Sequence, residues 1–161
     1  MIGTKFYKDN YDLNEYSSCA EWCNNNNATI EDKGEYYEVV AIPAPTLDEV
    51  KDTKINELKS IRDFKEVEPV RTGKGIFDYD DKSRDRLAIA RQSLADNPSV
   101  ESIVWTTADN QRVAMTIADF AEINSMAAYR SNRLHVKYND LKAEVNAAQT
   151  VEEVEAITWD D

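Results

Sequence analysis

Apolar side chains recur at alternating steps of three and four residues along the C-terminal third of the chain, which is the spacing of one face of a long helix. We call this face the heptad stripe, and it predicts a helix over residues 117–147. Thr116, followed three residues later by Asp119, has the pattern of a capping box that starts the helix. The stripe comprises Ile117, Phe120, Asn124, Ala127, Ser131, Leu134, Tyr138, Leu141, Val145 and Ala148.

Short apolar runs separated by turn residues predict two β-hairpins before this helix, at residues 67–79 and 102–115. The first turns at residues 73–75, where two glycines flank Lys74. The second turns at Asp109 and Asn110, residue types that tolerate a left-handed backbone.

Helical spacing also predicts a helix from Thr46 to about residue 66, one from Arg84 to about residue 95, and a short final helix capped by Thr150. Ser83 is expected to cap the second of these. The apolar side of that helix is expected to contain Leu87, Ile89, Ala90 and Leu94.

The first 42 residues have the pattern of a separate βαββ unit. Strands are predicted at residues 4–7, 28–31 and 36–42, and Asn10 or Asp12 is expected to cap a helix that ends near residue 24. Its apolar side is expected to contain Leu13, Tyr16, Ala20 and Cys23.

Pro43, Ala44 and Pro45 form a stiff connector after this unit. The predicted fold class is therefore α+β: a small βαββ unit at residues 1–42, a linker at 43–45, and a mainly helical domain at 46–161 with two hairpins and a long helix.

Charge is the most unusual feature of the composition, with 31 acidic against 19 basic residues and a formal net charge of −12. Binding to nucleic acid is not expected, because it relies on Lys and Arg that displace counterions from phosphates. The acidity favours either a chain kept apart by self-repulsion or an acidic inhibitor that mimics DNA.

No apolar run approaches the roughly 18 residues of a membrane helix, so no membrane association is expected. The first residues lack the apolar core of a signal peptide, which indicates synthesis in the cytoplasm.

We find no pattern of catalytic, cofactor-binding or metal-binding residues, and we expect a protein that is not an enzyme. Cys19 and Cys23 have no second ligand pair for zinc. The glycines at residues 73–75 lack the spacing of a phosphate-binding loop. Ser131 and His135 lie one helical turn apart, but the sequence indicates no carboxylate to orient them.

Two polar residues, Asn124 and Ser131, interrupt the heptad stripe. Polar residues in such a position fix the register or the number of chains in coiled assemblies. Two interpretations stay open: the stripe is buried inside this chain, or residues 117–148 form the interface of a homo-oligomer.

From about Thr46 to Trp159 the sequence resembles a phage domain of unknown function. That domain occurs in tail-fibre and tail-fibre-assembly proteins and in small tail-cluster proteins of PBSX-type prophages. The similar segments are KINELK (54–59), GIFDYD (75–80), VWTTADN (104–110), VAMT (113–116), AAQTVEEV (147–154) and ITW (157–159). The segment AEWCN (20–24) and the tyrosine-rich strand after it resemble a region that often precedes this domain.

The resemblance implies a tail-fibre-associated protein that works by protein–protein binding, as an assembly chaperone or a minor virion component. Its expected partner is the tail-fibre protein, and its expected location is the host bacterial cytoplasm during assembly or the virion tail. Fibre chains expose strand edges before they assemble, so a helper needs a strand edge or an aromatic patch of its own. The expected partner-binding residues are Trp22, Tyr36, Tyr37, Trp105, Asn124, Ser131 and Tyr138.

Overall fold

A computed structural model of the chain describes residues 1–160. They form five helices and seven short strands in antiparallel sheets, which confirms the predicted α+β class. The chain divides into two compact units, Met1–Thr46 and Leu47–Asp161. None of the helices in the described part of the chain is long and apolar enough to span a membrane.

The N-terminal unit is a three-stranded antiparallel sheet packed against one helix. Its elements are β1 (Lys5–Tyr7), α1 (Leu13–Asn25), β2 (Ala28–Asp32) and β3 (Tyr36–Ala41). The strand order is β1-β3-β2, so β3 lies in the centre. Of the two candidate caps, Asp12 is the one used: its carboxylate accepts hydrogen bonds from the backbone N–H groups of Asn14 and Glu15, at 2.7 and 3.3 Å.

A small apolar core holds this unit together. It consists of Phe6, Cys19, Cys23, Ala28 and Val39, all less than a tenth exposed. Both cysteines are free thiols. Burial raises the pKa of the Cys19 thiol, as desolvation of a thiolate requires.

The second unit is arranged along one long helix. Its elements are α2 (Leu47–Glu66), β4 (Val70–Thr72), β5 (Gly75–Phe77), α3 (Asp81–Asp96), β6 (Ile103–Thr106), β7 (Arg112–Met115), α4 (Ile117–Ala147) and α5 (Val151–Glu155). Helix α4 is about 46 Å long at 1.5 Å per residue. Thr116 and Asp119 form the predicted capping box at its start.

Two apolar cores lie one after the other along α4. The core beside its first half contains Val70, Phe77, Leu87, Ala90, Leu94, Met115, Phe120, Ile123 and Ala127, from both hairpins, α3 and α4. The core beside its second half contains Leu58, Tyr138, Val145, Ala148 and Val154, from α2, α4, α5 and the loop between the last two. Much of the heptad stripe is therefore buried inside this chain.

The two hairpins are joined through the loop before β7. The N–H of Ala108 donates a hydrogen bond of 2.8 Å to the carbonyl of Ile76 in β5. Buried Thr107 closes the loop, since its hydroxyl bonds to Asp109 at 2.5 Å and accepts from the N–H of Gln111 at 2.9 Å.

The same loop explains one glycine. At Gly75 the backbone has φ +142°, and a Cβ added there would lie 2.9 Å from the methyl group of Thr107. Only glycine fits this close approach without strain.

Four predictions, three from the apolar pattern and one of a helix cap, were wrong. Leu13, Ile89 and Ile117 are 69, 70 and 42% exposed. Leu13 and Ile117 are the first residues of their helices, and Ile89 is turned away from the face that buries Leu87, Ala90 and Leu94. Helix α3 begins at Asp81 and is capped by Asp80, not by Ser83; the carboxylate of Asp80 accepts the N–H of Ser83 at 2.8 Å.

Candidate protein-binding surfaces

One face of the N-terminal sheet is not covered by α1. On it the rings of Tyr7 and Tyr36 lie 5.5 Å apart, from directly paired positions of β1 and β3. The ammonium of Lys5 lies 4.5 Å above the Tyr36 ring and donates to its hydroxyl at 3.4 Å, which raises the pKa of Lys5. Tyr7 is 54% exposed. This face, which we call the tyrosine face, offers aromatic rings and an adjacent cation.

The structure places the neighbouring candidates differently. Residues 36 and 37 alternate across the strand, so Tyr37 points to the helix side, where its ring contacts Tyr11 and Tyr16 at 5.9 and 5.6 Å. Trp22 is half-buried against the same core. Of these candidates, Tyr36 alone lies on the tyrosine face.

The three candidates Trp105, Asn124 and Tyr138 lie within the packing of the second unit. Trp105 meets the ring of Phe120 edge-on at 5.3 Å and is covered by the guanidinium of Arg86 at 5.0 Å. Tyr138 is 8% exposed and Asn124 is half-buried. The structure does not bring these three side chains together in one surface.

Ser131 belongs to a cluster that the sequence did not indicate. Its hydroxyl donates to the carboxylate of Glu66 at the end of α2, and Nε2 of His135 lies 3.4 Å from the same oxygen. The expectation that no carboxylate meets this pair was wrong, because Glu66 is 65 residues away in sequence. Nevertheless both groups point at Glu66 and not at each other, so the imidazole is not placed to take the serine proton.

The outward side of α4 carries a second stripe of residues at helical spacing, opposite the heptad stripe. It consists of Met126, Tyr129, Arg133, Val136 and Asp140. Tyr129 and Val136 are 68 and 52% exposed, and the Arg133 guanidinium lies 5.9 Å from the centre of the Tyr129 ring.

Apart from Met126, the residues of this stripe line a groove of about 820 Å³ on the second unit, which we call the α4 groove. The groove is bordered on one side by Lys65 and Glu68 and on another by Trp159. Lys137 lies 5.3 Å from the centre of the Trp159 ring and donates to the carbonyl of Asp160, which holds the C-terminal segment beside α4.

A cluster of charged hydrogen bonds lies at a third place, the start of α4. The carboxylate of Asp119 accepts hydrogen bonds from the N–H and hydroxyl of Thr116, each 2.7 Å long. Lys74 in the β4–β5 turn reaches the same oxygen at 2.9 Å and the carbonyl of Ala114 at 2.7 Å. The bonds from Thr116 and then Lys74 lower the pKa of Asp119 to about 2. This cluster ties the first hairpin to α4.

Residues 1–160 contain no group of three His, Cys, Asp or Glu side chains placed to hold a metal ion. Asp80 and Asp81 lie at the start of α3, where Asp80 is the helix cap and Asp81 pairs with Arg84.

No curated protein and no solved structure matches the sequence. A family model does match, over residues 49–158, which is most of the second unit and well over half of the chain. The protein thus belongs to the family described as Domain of unknown function (DUF4376).

Proposed function

We propose that this protein acts by binding another protein, as a phage tail-fibre-associated factor that assists fibre assembly or remains as a minor virion component. The proposal draws on the resemblance of the segments at 104–116 and 147–159 to tail-fibre-associated proteins. The tyrosine face is the observation that favours a binding role: Tyr7, Tyr36 and Lys5 form an aromatic surface that α1 leaves open.

The open edges of the same sheet support this role. Strand β3 pairs on both sides, while β1 and β2 are outer strands of the sheet. An outer strand presents backbone N–H and C=O groups that can pair with an extended segment of another chain. A fibre chain before assembly offers such segments.

The test is co-expression with the tail-fibre protein of the phage that the proposal makes its source, followed by affinity purification and light scattering. We expect the fibre to co-purify with the wild-type chain. The double change Tyr7→Ser and Tyr36→Ser removes two ring contacts of the tyrosine face, and we expect the recovered fibre to fall about tenfold or more. Phe64→Ser is the matched control, because Phe64 is an aromatic residue of α2 that is 70% exposed.

Two results would contradict the proposal. One is a wild-type chain that recovers no fibre. The other is an equal loss of fibre in the double variant and in the Phe64 control, since the tyrosine face would then have no special part.

We propose as a second function that the chain is an acidic inhibitor of a host nucleic-acid-binding protein. This proposal draws on the net charge of −12, which is spread over both units. Long-range attraction of this kind is screened by salt. We expect such binding to a basic host protein to weaken strongly between about 50 and 500 mM salt. An affinity that does not change over this range would exclude the inhibitor.

A further inference from the structure

We infer that the α4 groove is a second docking site, which takes an acidic peptide segment with an apolar anchor from a partner protein. The inference rests on the proposed function in one respect, namely that the chain works by binding proteins. It adds a site on the second unit and the chemistry of the segment that occupies it.

Charge is the first argument. The groove lining contains four basic side chains, Lys65, Arg130, Arg133 and Lys137, against the two acids Glu68 and Asp140. The chain as a whole has 19 basic and 31 acidic residues, so the groove has the opposite sign to the rest of the molecule. A groove of opposite sign attracts and orients an acidic segment.

The state of these cations is the second argument. Arg130 is fixed in the wall of the groove, because its guanidinium donates to the carbonyls of Glu66 and Pro69 and lies 5.6 Å from the centre of the Tyr79 ring. Arg133, in contrast, makes no ion pair or hydrogen bond with residues 1–160, and its guanidinium lies 5.9 Å from the centre of the Tyr129 ring. Its fork of N–H donors is therefore available to a carboxylate of a partner.

Apolar surface is the third argument. Tyr129 and Val136 are more than half exposed on the same side of α4 as Arg133, and Leu134 and Trp159 also line the groove. An exposed aromatic ring beside an arginine is the composition of binding hot spots. The groove thus suits a segment in which an apolar or aromatic side chain lies next to glutamate or aspartate.

Nucleic acid fits this site less well, although its phosphates are also anionic. A duplex carries about one charge per 1.7 Å and would extend beyond the groove over a surface that is acidic overall. A short peptide places its charges in the groove alone.

The experiment uses the full chain and a fluorescein-labelled peptide that has several glutamates around a single tryptophan. We expect fluorescence anisotropy to give a Kd about tenfold or more below that of the same peptide with glutamine at each glutamate. Arg133→Glu and, separately, Tyr129→Ala should each weaken binding of the acidic peptide about tenfold. Arg91→Glu, at an exposed position of α3, is the matched charge control because it changes the net charge by the same amount as Arg133→Glu. This variant should bind the acidic peptide with a Kd within about twofold of the wild-type value.

Equal affinity for the two peptides, or an equal loss of peptide affinity in the Arg133 and Arg91 variants, would overturn the inference. So would tighter binding of a single-stranded oligonucleotide than of the acidic peptide. A stable dimer that Arg133→Glu dissociates would also overturn it, because the groove would then be an interface between two copies of this chain. The fibre experiment separates this failure from failure of the proposed function. If the wild type and the Arg133 variant retain fibre equally and neither binds the peptide, the docking site is refuted while the binding role stands.

Discussion

Removing the carboxylate of Asp119 is expected to destabilise the second unit by about 2 kcal/mol. Two estimates agree on this size. Thr116 remains the helix cap in the variant, so the loss is that of a charged acceptor for the N–H and hydroxyl of Thr116 and for Lys74, which is worth about 2 kcal/mol. The same contacts lower the pKa of Asp119 from 3.8 to about 2, which corresponds to roughly 2 kcal/mol at 1.36 kcal/mol per unit. The Asp119 side chain is only 17% exposed, so solvent screening reduces this value little.

The assay is urea unfolding followed by far-UV circular dichroism, for the wild type, Asp119→Ala and Asp119→Asn. Lys74→Met removes the ion pair but keeps both halves of the capping box, so we expect a smaller loss, about 0.5 kcal/mol. Asp85→Asn removes an exposed acid of α3 and serves as the control for net charge.

The pH dependence gives a sharper test. The pKa of Asp119 is lower in the folded chain than in the unfolded chain, so the stabilisation is fully present above about pH 4 and is lost as the pH falls through about 2. The difference in unfolding free energy between the wild type and Asp119→Asn should therefore shrink across this window. A difference that stays constant from pH 6 to about pH 2, or no difference at neutral pH, would refute the reasoning.

Three further predictions concern packing. Gly75→Ala should lower the free energy of unfolding by about 1–3 kcal/mol, since it strains a φ of +142° and forces the alanine methyl against Thr107. A methyl group at Gly73 meets nothing within 4 Å, so Gly73→Ala is the control, and the two urea midpoints are compared. Phe120→Ala should cost about 3–5 kcal/mol because the ring is fully buried, and Ile89→Ala, at a site 70% exposed, should change the unfolding free energy by less than about 1 kcal/mol. The two buried cysteines should react with a disulfide reagent only as fast as the N-terminal unit opens. Urea at concentrations below the unfolding transition should therefore accelerate labelling. Rapid labelling of the folded chain without urea would contradict the burial of the cysteines.

Local chemistry made several parts of this fold predictable from sequence. The capping box at Thr116 depends on two residues three apart, and the turn at Asn110, with φ 62°, depends on a residue type that tolerates this angle. The heptad stripe predicted the inward side of α4 well at Phe120 and Val145. Such features are encoded within a few residues, so they need no knowledge of the tertiary structure.

Features that join distant segments were not predictable in the same way. Glu66 meets Ser131 and His135 only because α2 and α4 pack side by side, and Lys74 meets Asp119 only because the first hairpin folds onto the start of α4. The outward stripe of α4 has the same period as the inward one. Spacing alone therefore does not say which stripe the rest of the chain covers.

The boundary between the two units has an evolutionary consequence. Every residue from 41 to 46 is exposed, and the family match begins at residue 49, just beyond this connector. A recombination event in this stretch would separate the two units without cutting through either apolar core. A different leading segment joined at this connector would therefore meet a trailing unit whose two apolar cores are complete.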